Sequence, residues 1–121
     1  MKITKHLSTH EVSCKCGCGF NKLDPMTAKA FEKIREIAGN QPLTISSGCR
    51  CEAHNKAIGG ATSSQHVKGT ALDIRVPKGM DFDFFYGICD NVIGHVGGVG
   101  KYSDLRFVHI DTRGHRARWG K

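Results

Sequence analysis

This chain lacks what several protein classes require. No apolar run approaches the roughly 18 residues of a membrane span, so a transmembrane protein is excluded and no stable membrane association is expected. Only three prolines are present, and there is no linker-like stretch, repeat or low-complexity segment. Nothing divides the chain, which reads as a single domain over 1–121 with a cysteine-rich N-terminal arm over 1–22. Aromatic residues are few: one Trp, two Tyr and six Phe. Basic residues are spread thinly until Arg113, Arg116, Arg118 and Lys121, so the stacking-and-phosphate surface of a nucleic-acid binder is not evident. Acidic side chains are outnumbered, leaving a net charge of +7 that favours an anionic partner. After Met1-Lys2-Ile3-Thr4-Lys5-His6 the chain meets Ser8, His10 and Glu11 with no apolar stretch, so no signal peptide is expected and synthesis in the cytoplasm is.

What is present is enough apolar sequence for one core. A domain of this size buries roughly 65% of its unfolded surface, so it can fold without obligatory disulfides, and the six cysteines need a separate explanation. Asp24-Pro25 opens a helix, and Met26, Ala30, Ile34 and Ile37 follow at helical spacing before Gly39. A short strand at 43–46, a short helix from about Cys51 to Ile58 and an amphipathic helix over about 81–93 come next. Strand alternation sets Leu72 and Ile74 on one face of 70–76 and Asp73 on the other. In 107–111 it puts Val108 and Ile110 opposite Phe107, His109 and Asp111. The expected class is α+β, a small and mainly antiparallel sheet with flanking helices. A monomer is expected.

A catalytic zinc ion takes three imidazole or carboxylate ligands and keeps one position for water, and His66, Asp73 and His109 offer such a set. Taken alone, a His and an Asp seven apart more often mean a solvated loop histidine and a capping or paired aspartate than two metal ligands. The surrounding sequence adds more. Ser64-Gln65-His66-Val67-Lys68-Gly69-Thr70-Ala71-Leu72-Asp73 fits S-x-H-x-x-G-x-A-x-D, between Ser47-Gly48-Cys49-Arg50 upstream and Val108-His109-Ile110-Asp111 downstream. These three ordered motifs, from about Leu43 to Trp119, resemble peptidase family M15, the zinc D-Ala-D-Ala carboxypeptidases and peptidoglycan endopeptidases, phage endolysins among them.

The resemblance implies a hedgehog/DD-peptidase-like fold, one catalytic zinc on His66, Asp73 and His109, and a peptide bond of peptidoglycan as substrate. It also implies action on the cell wall after release, phage-fashion, or by another export route. Arg50 matches the family arginine that contacts substrate, where a guanidinium grips a carboxylate or stabilises an oxyanion. Ser64 is a second substrate-contact candidate, with a plain turn serine as its alternative. The sequence departs from better-known members at the general base. Arg106 and Phe107 stand where a Glu or His often precedes the last ligand. Asp111 is therefore the candidate base, or else a partner that orients a ligand imidazole. Asp104, His95 and Tyr102 are weaker cleft candidates.

Cys89 lies on an apolar helix stripe and reads as a buried hydrophobe. Cys14, Cys16, Cys18, Cys49 and Cys51 are left as reduced thiols, as disulfides joining the N-terminal group to Cys49 or Cys51, or as ligands of a second, structural ion. Two other functions compete with the peptidase. One is a non-catalytic zinc-binding wall-recognition module of the same fold, favoured by the missing base. The other is a cysteine-rich nucleic-acid binder, which gives His66, Asp73 and His109 no task.

Overall fold

A computed structural model describes residues 1–121. The N-terminus forms a small hairpin, β1 (Lys2–Thr4) and β2 (Leu7–Ser8), followed by one helical turn, α1 (Thr9–Val12). Its apolar residues Leu7 and Val12 are buried in the main core, so the first twelve residues belong to the same body as the rest. Glu32 fastens this hairpin to α2 (Pro25–Ile37): its carboxylate accepts from Thr4 Oγ1 at 2.6 Å and the His6 backbone N–H at 2.7 Å, and lies 2.8 Å from His6 Nδ1.

α2 starts where Asp24-Pro25 predicts, with the Asp24 carboxylate accepting from the Met26 N–H at 3.1 Å. Its buried face is not the expected stripe. Thr27, Ala28, Ala30, Phe31 and Ile34 face inward, while Met26 and Ile37 are exposed. Thr27 is buried because its hydroxyl is satisfied by Thr112 Oγ1 at 2.6 Å and the Thr70 carbonyl at 3.1 Å.

The remaining elements are β3 (Ile45–Ser47), α3 (Glu52–Ala57), β4 (Ala71–Arg75), α4 (Phe82–Ile93), β5 (Gly98–Tyr102), β6 (Phe107–Asp111) and β7 (Ala117–Gly120). The large sheet runs β3-β4-β6-β5-β7, antiparallel except for the parallel β5–β7 pair at one edge. The fold is α+β. α2 and α4 pack together, and α4 also lies on β5 and β6. The alternation in β4 and β6 resolves as the pattern predicts. Leu72, Ile74, Val108 and Ile110 are fully buried against Phe31, Ile34 and Phe85. Each such side chain contributes on the order of 1.5–3 kcal/mol of burial free energy. The opposite face is left free for polar chemistry. No helix is long and apolar enough to cross a membrane.

Candidate active site

One rung of the sheet builds the site. Ser47 on β3 pairs with Asp73 on β4, Asp73 with His109 on β6, His109 with Gly100 on β5, and Gly100 with Trp119 on β7. Cross-strand partners in register point to the same face, so the rung sets carboxylate, imidazole and indole side by side on the face away from α4. His66 enters from the 58–70 loop to complete the group. Its Nε2 lies 3.2 Å from Asp73 Oδ1, and His109 Nδ1 lies 3.0 Å from the same oxygen.

The outward-facing ring nitrogens determine what these atoms are. His66 Nδ1 sits 2.6 Å from the Gly48 carbonyl oxygen, which can only accept, so Nδ1 carries the proton. His109 Nε2 likewise donates to Asp111 Oδ2 at 2.8 Å. Each neutral ring therefore turns a lone pair toward Asp73, where two lone pairs and an anionic oxygen repel unless a proton or a cation lies among them. Tetrahedral zinc with ligands at 2.0–2.2 Å separates them by about 3.3–3.5 Å. The three ligand atoms here all fall within 4.8 Å of one another, and the donor set fits such an ion. Without a cation, protons serve. Burial opposes a charged His109, yet hydrogen bonds to Asp111 and Asp73 push its pKa up. Burial likewise opposes ionised Asp73, and the bonds to His109 and His66 hold its carboxyl down at about 2.

Asp111 is placed for the orienting role. It is fully buried, it does not line the cleft, and both its oxygens are taken. Oδ1 accepts from the Gly98 N–H at 2.9 Å and Arg113 Nε at 2.9 Å, and Oδ2 from Arg113 Nη2 at 2.7 Å as well as from His109. Burial raises its pKa, but these donors outweigh burial and keep the carboxyl well below the usual range. As a base facing substrate it is out of position: His109 stands between it and Asp73.

The rung floors a cleft of about 430 Å³, lined among others by Arg50, Ser64, Tyr102, Phe107, Arg113 and Trp119. Asp73 is its sole carboxylate. Arg50 Nη2 lies 3.8 Å from Asp73 Oδ2, and its other nitrogens donate to Asn55 Oδ1 at 2.9 Å and Ser47 Oγ at 3.3 Å. Asn55 is itself buried and donates to the Ala61 carbonyl at 2.8 Å, so Arg50 is held rigidly. A Cβ on Gly60 would meet Asn55 Oδ1 at 2.1 Å, which is why the loop has glycine there. Ser64 lines the cleft while its hydroxyl accepts from the His66 N–H at 3.2 Å. Tyr102 also lines it, whereas His95 does not and Asp104 faces a separate surface depression.

Three contributors were not evident in the sequence. Trp119 packs on the His109 ring with centroids 5.0 Å apart and donates from Nε1 to the Tyr102 hydroxyl at 3.0 Å. Gly100 makes room for it, since a Cβ there would lie 2.6 Å from the indole. That Gly-x-Gly spacing in β5 was the available signal. Arg113 reads as part of a basic tail but is committed to Asp111 and lies over the Trp119 ring. Asn55 gives no signal beyond its helix. Arg118 is also internal, bonded to Asp90 at 2.6 Å.

The cysteines divide differently from the expected five. Cys49 is buried in the hydrophobic core, so it leaves the candidate ligand set, and no disulfide joins the N-terminal group to Cys49 or to Cys51. Cys89 is fully buried, and burial raises its thiol pKa far up. Cys14, Cys16, Cys18 and Cys51 gather with their sulfurs within 4.8 Å of one another, Cys14 buried, Cys51 half-buried and Cys16 and Cys18 exposed.

Known proteins are similar to this chain in sequence. The curated protein "Probable peptidoglycan L,D-endopeptidase MepK" of Haemophilus influenzae is 29% identical over 76% of this chain and 52% of its own length. The "Zinc D-Ala-D-Ala carboxypeptidase" of Streptomyces albus G is 29% identical over 50% of this chain and 27% of its own. The chain thus spans about half, or less, of the length of these relatives. A family profile described as Peptidase M15 matches residues 5–111, nearly the whole fold and every residue of the His66, Asp73 and His109 group, and the chain belongs to the peptidase M15 family.

Proposed function

We propose that this chain is a zinc-dependent peptidase that hydrolyses peptide bonds in the stem peptides or cross-links of peptidoglycan, as a D-Ala carboxypeptidase or an endopeptidase. The observation that carries this reading is the convergence of His66 Nε2, Asp73 Oδ1 and His109 Nδ1 at the floor of a cleft, with both outer imidazole nitrogens already bonded. The names of the two relatives support the substrate class. When bound, zinc supplies Lewis acidity, polarising a carbonyl and bringing the pKa of a water from about 15.7 to about 7.

The chain's own residues supply the rest. Gly48 and Asp111 fix the two rings in the liganding tautomer. Arg50, pinned by Asn55 and Ser47 beside Asp73, binds the substrate carboxylate or the oxyanion that develops at the scissile carbonyl. Trp119, Tyr102 and Phe107 form an apolar wall, the last two stacked at 4.5 Å, against which a peptide lies. Proton transfer falls to Asp73 Oδ2, the carboxylate oxygen in the cleft not shared with the imidazoles.

A different observation, a cleft whose one carboxylate belongs to the metal-ligand set, favours a second function: a zinc-dependent binder of wall peptides without turnover. Incubation of purified peptidoglycan with the protein, with mass spectrometry of the released fragments, separates the two. The peptidase releases new muropeptides in a chelator-sensitive manner, and His66→Ala releases none. A protein that binds the wall and leaves its peptides intact would overturn the peptidase.

A further inference from the structure

We infer that Cys14, Cys16, Cys18 and Cys51 bind a second zinc ion, a structural tetrathiolate clip at the surface, distinct from the cleft. Residues 13–24, which carry three of these thiols, form neither helix nor strand. Little backbone bonding orders the stretch: Cys14 N–H to the Phe20 carbonyl at 2.8 Å, Gly17 N–H to the Cys14 carbonyl at 3.2 Å, Leu23 N–H to the Asn21 carbonyl at 3.1 Å, and Asp24 N–H to the Gly69 carbonyl at 2.8 Å. A twelve-residue stretch without secondary structure needs another source of order.

The local geometry shows what that source is. Alternate residues of an extended chain point to one side but stand almost 7 Å apart, too far to share an ion. Here the turn closed by Gly17 onto Cys14, with Gly17 and Gly19 both at positive φ, curls C-x-C-x-C so that its sulfurs converge. Cys14 Sγ lies 3.4 Å from Cys16 Sγ and 3.9 Å from Cys51 Sγ, and Cys16 lies 3.6 Å from Cys51. A regular ZnS₄ tetrahedron with 2.3 Å bonds has edges of about 3.8 Å. Backbone N–H groups support the thiolates: Cys51 N–H donates to Cys14 Sγ and His54 N–H to Cys51 Sγ, both at 3.4 Å. Four sulfur ligands on a surface knuckle select zinc or iron, and a site without redox function takes zinc.

The clip also serves the cleft. Cys51 follows Arg50 directly, so the ion would tie the N-terminal knuckle to the junction that presents the guanidinium. The inference rests on the thiols alone and not on the peptidase function, and the experiment keeps them apart. Zinc per chain is measured by elemental mass spectrometry on protein purified under reducing conditions, as native chain, Cys18→Ser and His66→Ala. Cys18 is exposed, so its substitution leaves the core untouched. Two zinc ions in the native chain and one in each variant are expected. On cobalt substitution, thiolate-to-metal charge-transfer absorption should persist in His66→Ala and fade in Cys18→Ser. One zinc, lost in Cys18→Ser and kept in His66→Ala, would uphold the clip and sink the cleft ion. A metal count unchanged by Cys18→Ser would overturn the clip, as would iron in place of zinc or a disulfide among the four thiols.

Discussion

Replacing Asp111 by Asn separates a positioning carboxylate from a catalytic base. Asn keeps the shape, yet the groups around Asp111 are all donors: His109 Nε2–H, the Gly98 N–H and the Arg113 guanidinium. Whichever way the amide turns, its NH₂ meets a donor. The bond to His109 also changes from charge-assisted to neutral, a loss of about 1–1.5 kcal/mol. A misoriented ring adds to this, and removing such partners of a ligand histidine typically weakens metal binding by about 10–100-fold. Zinc affinity of Asp111→Asn at the cleft should fall by that factor in competition with a chromophoric chelator, with His66→Ala as the blank for zinc held elsewhere. Activity should return when zinc is raised. Full zinc affinity with turnover down by about 10²–10⁴ and an altered pH–rate profile would refute the argument and restore Asp111 as the base.

Three further outcomes follow from the same geometry. Gly100→Ala puts a Cβ 2.6 Å from the Trp119 indole, so stability should fall by about 1–3 kcal/mol in urea titration and the quenching of Trp119 by its neighbours should change. Asn55→Ala frees Arg50 and leaves the Ala61 carbonyl short of a donor; kcat/KM should drop at least tenfold while zinc content stays at the native value. Glu32 has its pKa lowered, burial being outweighed by its bonds to Thr4 and His6. A carboxylate depressed on folding adds stability above its unfolded pKa of about 4.3 and loses it as pH falls through the folded value. Stability of the native chain should therefore fall more steeply below about pH 4.3 than that of Glu32→Gln, as read by denaturant melts.

Much of this site was legible because a strand has a period of two. Asp73 and His109 each stood opposite apolar neighbours in their own strand, and the register then set them directly across from each other. Asp111 shared that face, but face-sharing does not tell whether a carboxylate looks into a cleft or into the protein. That depended on Arg113 and Gly98, which come from a loop and a glycine-containing strand. The two glycines of β5 blur its bounds, and β7 resembles a basic tail. α2 was found from its cap, yet half the expected apolar stripe faces solvent, because Thr27 finds hydrogen-bond partners inside while Met26 and Ile37 lie on the outer side. Cys49 and Cys51 looked alike in sequence. Cys49 falls in the hydrophobic core and Cys51, half-buried, in the cysteine knuckle, a difference set by packing alone.

A zinc ion held by His66, Asp73 and His109 and driving hydrolysis of wall peptides is tested most directly by fragment release from purified peptidoglycan, using the native protein, the chelated protein with and without added zinc, and His66→Ala. Release that chelation abolishes and zinc restores is expected, with none from His66→Ala at any zinc concentration. Release that survives chelation, or that His66→Ala retains, would contradict that role for the ion.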